Sequence, residues 1–237
     1  MDTLVREIEK IPLSGDDLQQ QAMKMGNMKT KWMVYDDLGA RNTDGTFVFK
    51  NISQVFITPR GRLNTVFVLL RIQNHSHSEV GHWIALIQNE MNGNISYYDP
   101  YALTIEQDLA VTGERDFLTR LLSGVNVDVN KHQHQKFKNE VQVCGRHTVI
   151  RSIFHFFTND QYHNKVIAPL IKSRQVCDPD TLVSLMTVFL SKSDEVVRSF
   201  FSKIPKQTNT LTRIPLGVIS KDPTPPPRHR GLGGSVV

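Results

Sequence analysis

Apolar and polar positions change rhythm several times along the chain, and each change marks an element. Residues 1–13 read as a lead-in. Ser14-Gly15-Asp16-Asp17 then sets a hydroxyl three residues before an acid, a capping box that opens a helix. That helix runs to about Met25 and stops near Gly26-Asn27. KWMVYDDL (31–38) reads as an extended segment entering a turn, and RNTDGTF (41–47) as a turn with Asp44-Gly45 as a hairpin signal. The rhythm then shortens to that of strands. SQVFITP (53–59) is short and β-branched. TVFVLLRI (65–72) is almost wholly apolar, as a strand buried on both faces would be. GHWIALIQN (81–89) and NISYYDP (94–100) follow, separated by a turn with Asn92-Gly93, the second ended by Pro100. The two form a hairpin. In an antiparallel pair the start of one strand lies beside the end of the next, so His82 and Asp99 are neighbours by topology.

Helical spacing returns at 104–122, with Gly113 as a weak point. VNVDVN (125–130) alternates as a strand, and HQHQKFKNEVQ (132–142) is a polar loop. The next helix begins at Cys144 and carries Val149, Ile150, Ile153, Phe154 and Phe157 at helical spacing, an amphipathic face to pack on the sheet. Helices are expected at 161–172, at 178–190 with Asp178 as N-cap and Pro179 at N1, and at 193–203. Periodicity fades from Ile204. The pattern predicts an α+β fold: a mixed or antiparallel sheet packed on a central Cys-bearing helix, with further helices toward the C-terminus. It divides the chain into a domain over 1–204 and a flexible Pro/Gly/Arg-rich tail over 205–237.

Composition narrows the classes. The chain has 237 residues, 39% of them hydrophobic and 22% charged, enough for one sizeable core. No apolar run is long enough to span a bilayer, and MDTLVREIEKIPLSG lacks the apolar stretch of a secretory signal. Cys144 and Cys177 are the only cysteines, which excludes a disulfide scaffold, points to a reducing compartment and speaks against a zinc finger. A formal charge of +5 permits contact with nucleic acid without demanding it. His75/His77 and His132/His134 have an alternating spacing that suits a metal, but no acid or thiol completes either set; solvated loops explain them better. His147 and His155 read as packing or surface residues of the Cys144 helix, and Cys177 as structural.

The chemistry collects at Cys144. A cysteine at a helix start has its sulfur near unpaired backbone N–H groups and the positive end of the helix dipole, which favour the nucleophilic thiolate. Such a thiolate needs an imidazole beside it, and the imidazole needs a carboxylate to fix its tautomer. His82 and Asp99 are the candidates, each at the edge of a regular element. Taken singly, each of the three reads as structural: a small packing residue, half-buried strand surface, a strand-end turn. Taken together, in the order His, Asp, Cys and with Gly145 after the cysteine, the catalytic reading prevails.

The motifs GHW, YYDPYA and VCGRH resemble those of the adenain and SUMO-protease superfamily of cysteine peptidases. Within it the chain is most similar to the capsid-maturation proteases of adenoviruses, virophages, Polinton-type elements and other large DNA viruses. The similarity covers roughly residues 14–190 by order of elements and is specific over the short motifs. It implies a papain-like, adenain-type fold with His82 as base, Asp99 as its orienter, Cys144 as nucleophile and Trp83 as a substrate-binding wall. It also implies an oxyanion-hole glutamine before the cysteine. The family's glutamine lies closer to its cysteine than Gln135 does here. Gln133, Gln135 and Gln142 are all candidates, with Gln135 favoured because it lies just past the 125–130 strand.

The activity so implied is that of a cysteine endopeptidase cutting capsid or core precursor proteins at Gly-containing sites during virion maturation. It would work in the virion and the cytoplasm or nucleus of the infected cell. No metal cofactor is required, and DNA or a peptide is a candidate activator. The alternatives are a deconjugating protease for ubiquitin-like modifiers and a non-enzymatic capsid or DNA-packaging protein on the same fold; an acyltransferase would need an acyl-CoA site that the sequence does not suggest. The terminal RGLGGSVV reads equally as a self-processing site near Gly233–Ser235, as an activating peptide, or as a plain Gly-rich end.

Overall fold

The computed structural model describes residues 2–73, 79–89, 93–137, 141–173 and 178–190. All lie in one compact unit, Met1–Arg198. The expected 204/205 boundary, the 193–203 helix, the Gly-Gly terminus, Cys177 and the His75/His77 pair fall outside the described residues.

The chain is α+β with a five-stranded mixed sheet in the order β1-β4-β5-β6-β7. Its strands are β1 (Thr30–Val34), β4 (Thr65–Gln73), β5 (Glu79–Gln88), β6 (Ile95–Tyr98) and β7 (Val127–Val129). β4, β5 and β6 are antiparallel neighbours, while β1 joins β4 and β7 joins β6 in parallel. A two-stranded ribbon, β2 (Ile57–Thr58) with β3 (Gly61–Arg62), stands apart.

Both faces of the sheet are covered, which explains the near-continuous apolar run of β4. Val66, Val68, Leu70, Ile84, Leu86, Ile95 and Tyr97 share one core with Ile105, Leu118 and Leu121 from α4 (Ile105–Thr112) and α5 (Leu118–Leu122). The alternate residues Phe67, Trp83, Ala85, Ile87 and Tyr98 share the other core with Leu18 of α2 (Gly15–Lys24), Cys144, Val149 and Ile150 of α6 (Cys144–Ile153), and Leu182 and Val183 of α9 (Pro179–Leu190). Each large aliphatic or aromatic side chain so buried stabilises the fold by roughly 1.5–3 kcal/mol.

Local signals hold where the chemistry is local. Ser14 Oγ accepts from the Asp17 N–H at 3.2 Å and Asp17 Oδ2 accepts from the Ser14 N–H at 3.0 Å, closing the box that opens α2. The expected helix over 104–122 breaks at Gly113, which caps α4 in the left-handed region at φ 72°. Asp178 Oδ1 accepts from the Thr181 N–H at 3.0 Å as the N-cap of α9.

Four expectations change. The lead-in contains a helix, α1 (Asp2–Glu9), against α9. SQVFITP is not a strand throughout: Asn51 caps a short helix, α3 (Ile52–Val55), and only Ile57–Thr58 is extended. An N-cap asparagine outweighs β-branched propensity over so short a run. The Cys144 helix is not amphipathic. Cys144 through Ser152 are all buried, because β5, α2 and α9 enclose α6. It therefore buries Arg146, His147 and Arg151 as well. Arg151 is satisfied internally, donating to Asn159 Oδ1 and to the Phe154 and Phe157 carbonyls at 3.1, 2.8 and 2.7 Å. The helix expected over 161–172 starts earlier, with α7 (Asn159–Tyr162) running through a π-turn (His163–Ile167) into α8 (Ala168–Lys172).

Candidate active site

β5 and the end of β6 set the site. Their pairing stops at Ala85↔Tyr98, so His82 projects beyond the last paired residue, where β6 has given way to a turn. By alternation His82 shares the face of Ile84 and Leu86, and Cys144 belongs to the opposite core. The early end of β6 lets the two meet past the sheet.

Asp99 occupies that turn and is fully buried. It is held on every side: Oδ1 accepts from the Tyr101 N–H at 3.1 Å, Oδ2 from the Leu103 N–H at 2.8 Å, and its carbonyl from Asn130 Nδ2 at 2.7 Å. Ala102 takes φ 63°, the one non-glycine among the described residues in the left-handed region. A strained residue beside a fixed carboxylate marks a turn shaped by its surroundings. Asp99 Oδ1 lies 2.7 Å from His82 Nε2. That contact occupies Nε2 and leaves Nδ1 as the ring nitrogen available to the thiol of Cys144, whose charge acts on the ring. Burial works against charge on His82, but the bond to Asp99 and the negative charges of Asp99 and Cys144 outweigh it. The imidazolium is favoured well above its usual range.

Cys144 is 9% exposed and begins α6. Its N-cap is Val143, which offers the first-turn N–H groups no side-chain acceptor. An uncapped helix start suits a developing oxyanion.

The three glutamines separate clearly. Gln142 is exposed and spends its backbone N–H on the Glu9 carbonyl at 2.7 Å. Gln133 is exposed and bonds back to the Gln135 carbonyl. Gln135 is buried at the site: its Nε2 donates to the Tyr101 hydroxyl at 2.9 Å and the Val141 carbonyl at 3.3 Å. The Val141 carbonyl fixes the amide orientation, since a flipped amide would set two oxygens against each other. Gln135 Oε1 is then buried without a partner among the described residues.

Trp83 is only 5% exposed. Its indole N–H donates to the Leu13 carbonyl at 3.0 Å, and its ring meets Trp32 edge-on at 6.4 Å. A Cβ on Gly145 would come within 3.4 Å of the Trp83 ring. This placement fits a post under the Cys144 turn better than an open substrate wall.

Two residues that sequence reasoning missed complete the surroundings. Tyr101 packs on His82 at 5.0 Å between centroids, tilted by 32°, and stacks on Phe137 at 4.4 Å. Burial, then the charges of Cys144 and Asp99, push its phenol up. Asp108 of α4 is 1% exposed and its Oδ1 lies 4.0 Å from His82 Nε2. The Tyr97 hydroxyl donates to its other oxygen. Burial foremost, then the charge of Asp99, push Asp108 up to about 7, against the opposing pull of His82 and Tyr97. A signal existed: Ile105, Asp108 and Thr112 form the buried stripe of α4, and an acid on such a stripe needs a partner.

His82, Asp99 and Asp108 are also the one group among the described residues with donor atoms close enough for a metal, within 4.8 Å. His82 Nε2 and Asp99 are engaged with each other, Asp99 with backbone N–H groups and Asp108 with Tyr97.

The remaining histidines correct an expectation. His134 is not in a solvated loop. It is 2% exposed, its Nδ1 is 2.9 Å from the Tyr98 hydroxyl, and its Nε2 is 3.1 Å from His163 Nδ1. His132 stacks on His163 at 3.8 Å and pairs with Asp160. His147 is buried against Asp180 at 2.9 Å. Burial first, then its histidine neighbours, push His134 down to about 2, so His134 itself is neutral.

Comparison of the chain with protein-family models and with curated proteins gives no match. No helix among the described residues is long and apolar enough to cross a membrane.

Proposed function

We propose that this protein is a papain-like cysteine endopeptidase of the adenain type, which cuts viral structural precursors at Gly-containing sites during particle maturation. The observation that carries the reading is the His82 imidazole, bonded to the buried Asp99 at 2.7 Å, with the charge of Cys144 among the influences that favour its protonated form. The resemblance of GHW, YYDPYA and VCGRH to that superfamily supplies the substrate class, the virion setting and DNA as an accessory.

In this mechanism the Cys144 thiolate adds to the scissile carbonyl, and the oxyanion is held by the N–H groups opening α6. The Tyr101 hydroxyl, which accepts from Gln135 and keeps its own proton to give, supplies a side-chain donor, as does Gln135 once one of its two engaged N–H groups leaves Tyr101 or the Val141 carbonyl. His82 gives its Nδ1 proton to the leaving amine. It then takes a proton from water as water attacks the thioester, and Cys144 is released. Asp99 keeps the ring oriented throughout.

The test is a library of Gly-containing peptides incubated with purified protein and with Cys144→Ala, with and without DNA, read by mass spectrometry. Cuts that vanish in the variant establish the peptidase and its motif. No cuts in any arm would sink the reading. Capture of a ubiquitin-like probe with a C-terminal electrophile would then favour deconjugation.

A further inference from the structure

The carboxylate behind His82 is not single. Asp99 and Asp108 approach the same ring nitrogen from different elements, the β6 turn and α4, at 2.7 and 4.0 Å. A lone orienting acid is enough to fix a tautomer. A second buried acid at this spot is costly, since desolvation and the neighbouring charge both work against it. Three observations show that Asp108 is placed and not incidental. It lies on the sheet face to which alternation assigns His82. It is anchored by the Tyr97 hydroxyl, from the strand that delivers Asp99. It sits on the buried stripe of α4, where an apolar residue would have packed at no electrostatic cost.

We propose that Asp108 is a positioning residue for His82: together with Asp99 it forms a two-carboxylate seat, tied off by Tyr97, that holds the imidazolium in the thiolate–imidazolium pair with Cys144. The titratable groups facing Asp108 are His82 from β5, Tyr97 from β6 and Asp99 from the turn beyond it. Ionised, Asp108 adds negative charge behind the ring and favours the pair. Protonated, it leaves Asp99 to act alone. The proposal rests on the catalytic reading of Cys144 and His82, but its test needs no substrate.

The experiment measures the rate of Cys144 alkylation by iodoacetamide from pH 4 to 10, read on the Cys144-containing peptide by mass spectrometry so that Cys177 does not contribute. Wild type is compared with Asp108→Asn, which keeps shape and can still accept from Tyr97, and with Tyr97→Phe. Loss of the tyrosine donor pushes Asp108 further toward its protonated form, so this variant tests the same charge without altering α4. Wild type should show fast alkylation well below the pH of an ordinary thiol. Both variants should lower the rate several-fold above about pH 7, where wild-type Asp108 is ionised, and move the high-pH step, loss of the imidazolium proton, down by about one unit. A merely structural role would scale the rate without moving that step. Unchanged profiles in folded variants beside a fast wild type overturn this proposal alone. An ordinary thiol profile in wild type overturns both it and the catalytic reading.

Discussion

Asp108→Asn should gain stability relative to wild type as pH rises. The folded value of Asp108 is about 7, against 3.8 for an unperturbed aspartate. Below about pH 4 the carboxyl is protonated in both states. As pH rises further, the unfolded chain releases the proton while the folded chain keeps it. The stability contributed by proton binding is therefore lost progressively until pH passes the folded value near 7. The full shift of about three units corresponds to about 4 kcal/mol; between pH 5 and pH 8 about two of those units remain, or ~3 kcal/mol. This difference already contains the attraction of His82, which opposes the shift. Asparagine does not titrate, so the variant's advantage over wild type should grow by up to that amount across this interval. Urea unfolding at each pH, followed by tryptophan fluorescence, reads it directly. Trp32 and Trp83, the only tryptophans, both lie in the described unit. An advantage that is the same at pH 5 and pH 8 would refute the reasoning. A variant that gains on wild type as pH rises while its thiolate pair weakens is the pattern expected where a site is kept at the expense of stability.

Other outcomes follow from the same geometry. His134 has a folded value near 2, below its ordinary 6.5. The stability it contributes is present above about pH 6.5 and lost as pH falls, by about 1.4 kcal/mol per unit. His134→Asn should remove that acid-side slope in urea titrations, and equal slopes would refute the buried, neutral state of His134. Arg151→Met strands Asn159 Oδ1 and the Phe154 and Phe157 carbonyls inside the core. It should cost about 3–5 kcal/mol by urea unfolding, and a loss under 1 kcal/mol would contradict the assigned network. For the peptidase, Gln135→Ala should lower kcat by about 10²–10³ if its amide is the oxyanion donor. If Tyr101 holds that place, Tyr101→Phe should show the larger loss, with KM little changed in either case.

The sequence by itself determined the parts whose causes are local. The Ser14–Asp17 box, the Gly113 break, the Asp178 cap and the strands carrying His82 and Asp99 each depend on contacts within a few residues, and they stand where the pattern put them. The neighbourhood of His82 and Asp99 was legible too, because a hairpin brings a strand start beside a strand end by covalent connection. The tertiary structure decided what depends on residues far apart in the chain. It made α6 a helix enclosed on all sides and not an amphipathic one, since periodicity cannot show how many partners a helix has. It put His134 in a buried array, and it placed Gln135 beside Tyr101 while leaving Gln133 and Gln142 outside. It also brought Asp108 from α4 to the ring of His82. A polar residue on a buried stripe can be seen in a sequence, but which charge it faces is set by packing between elements, and no local pattern encodes that.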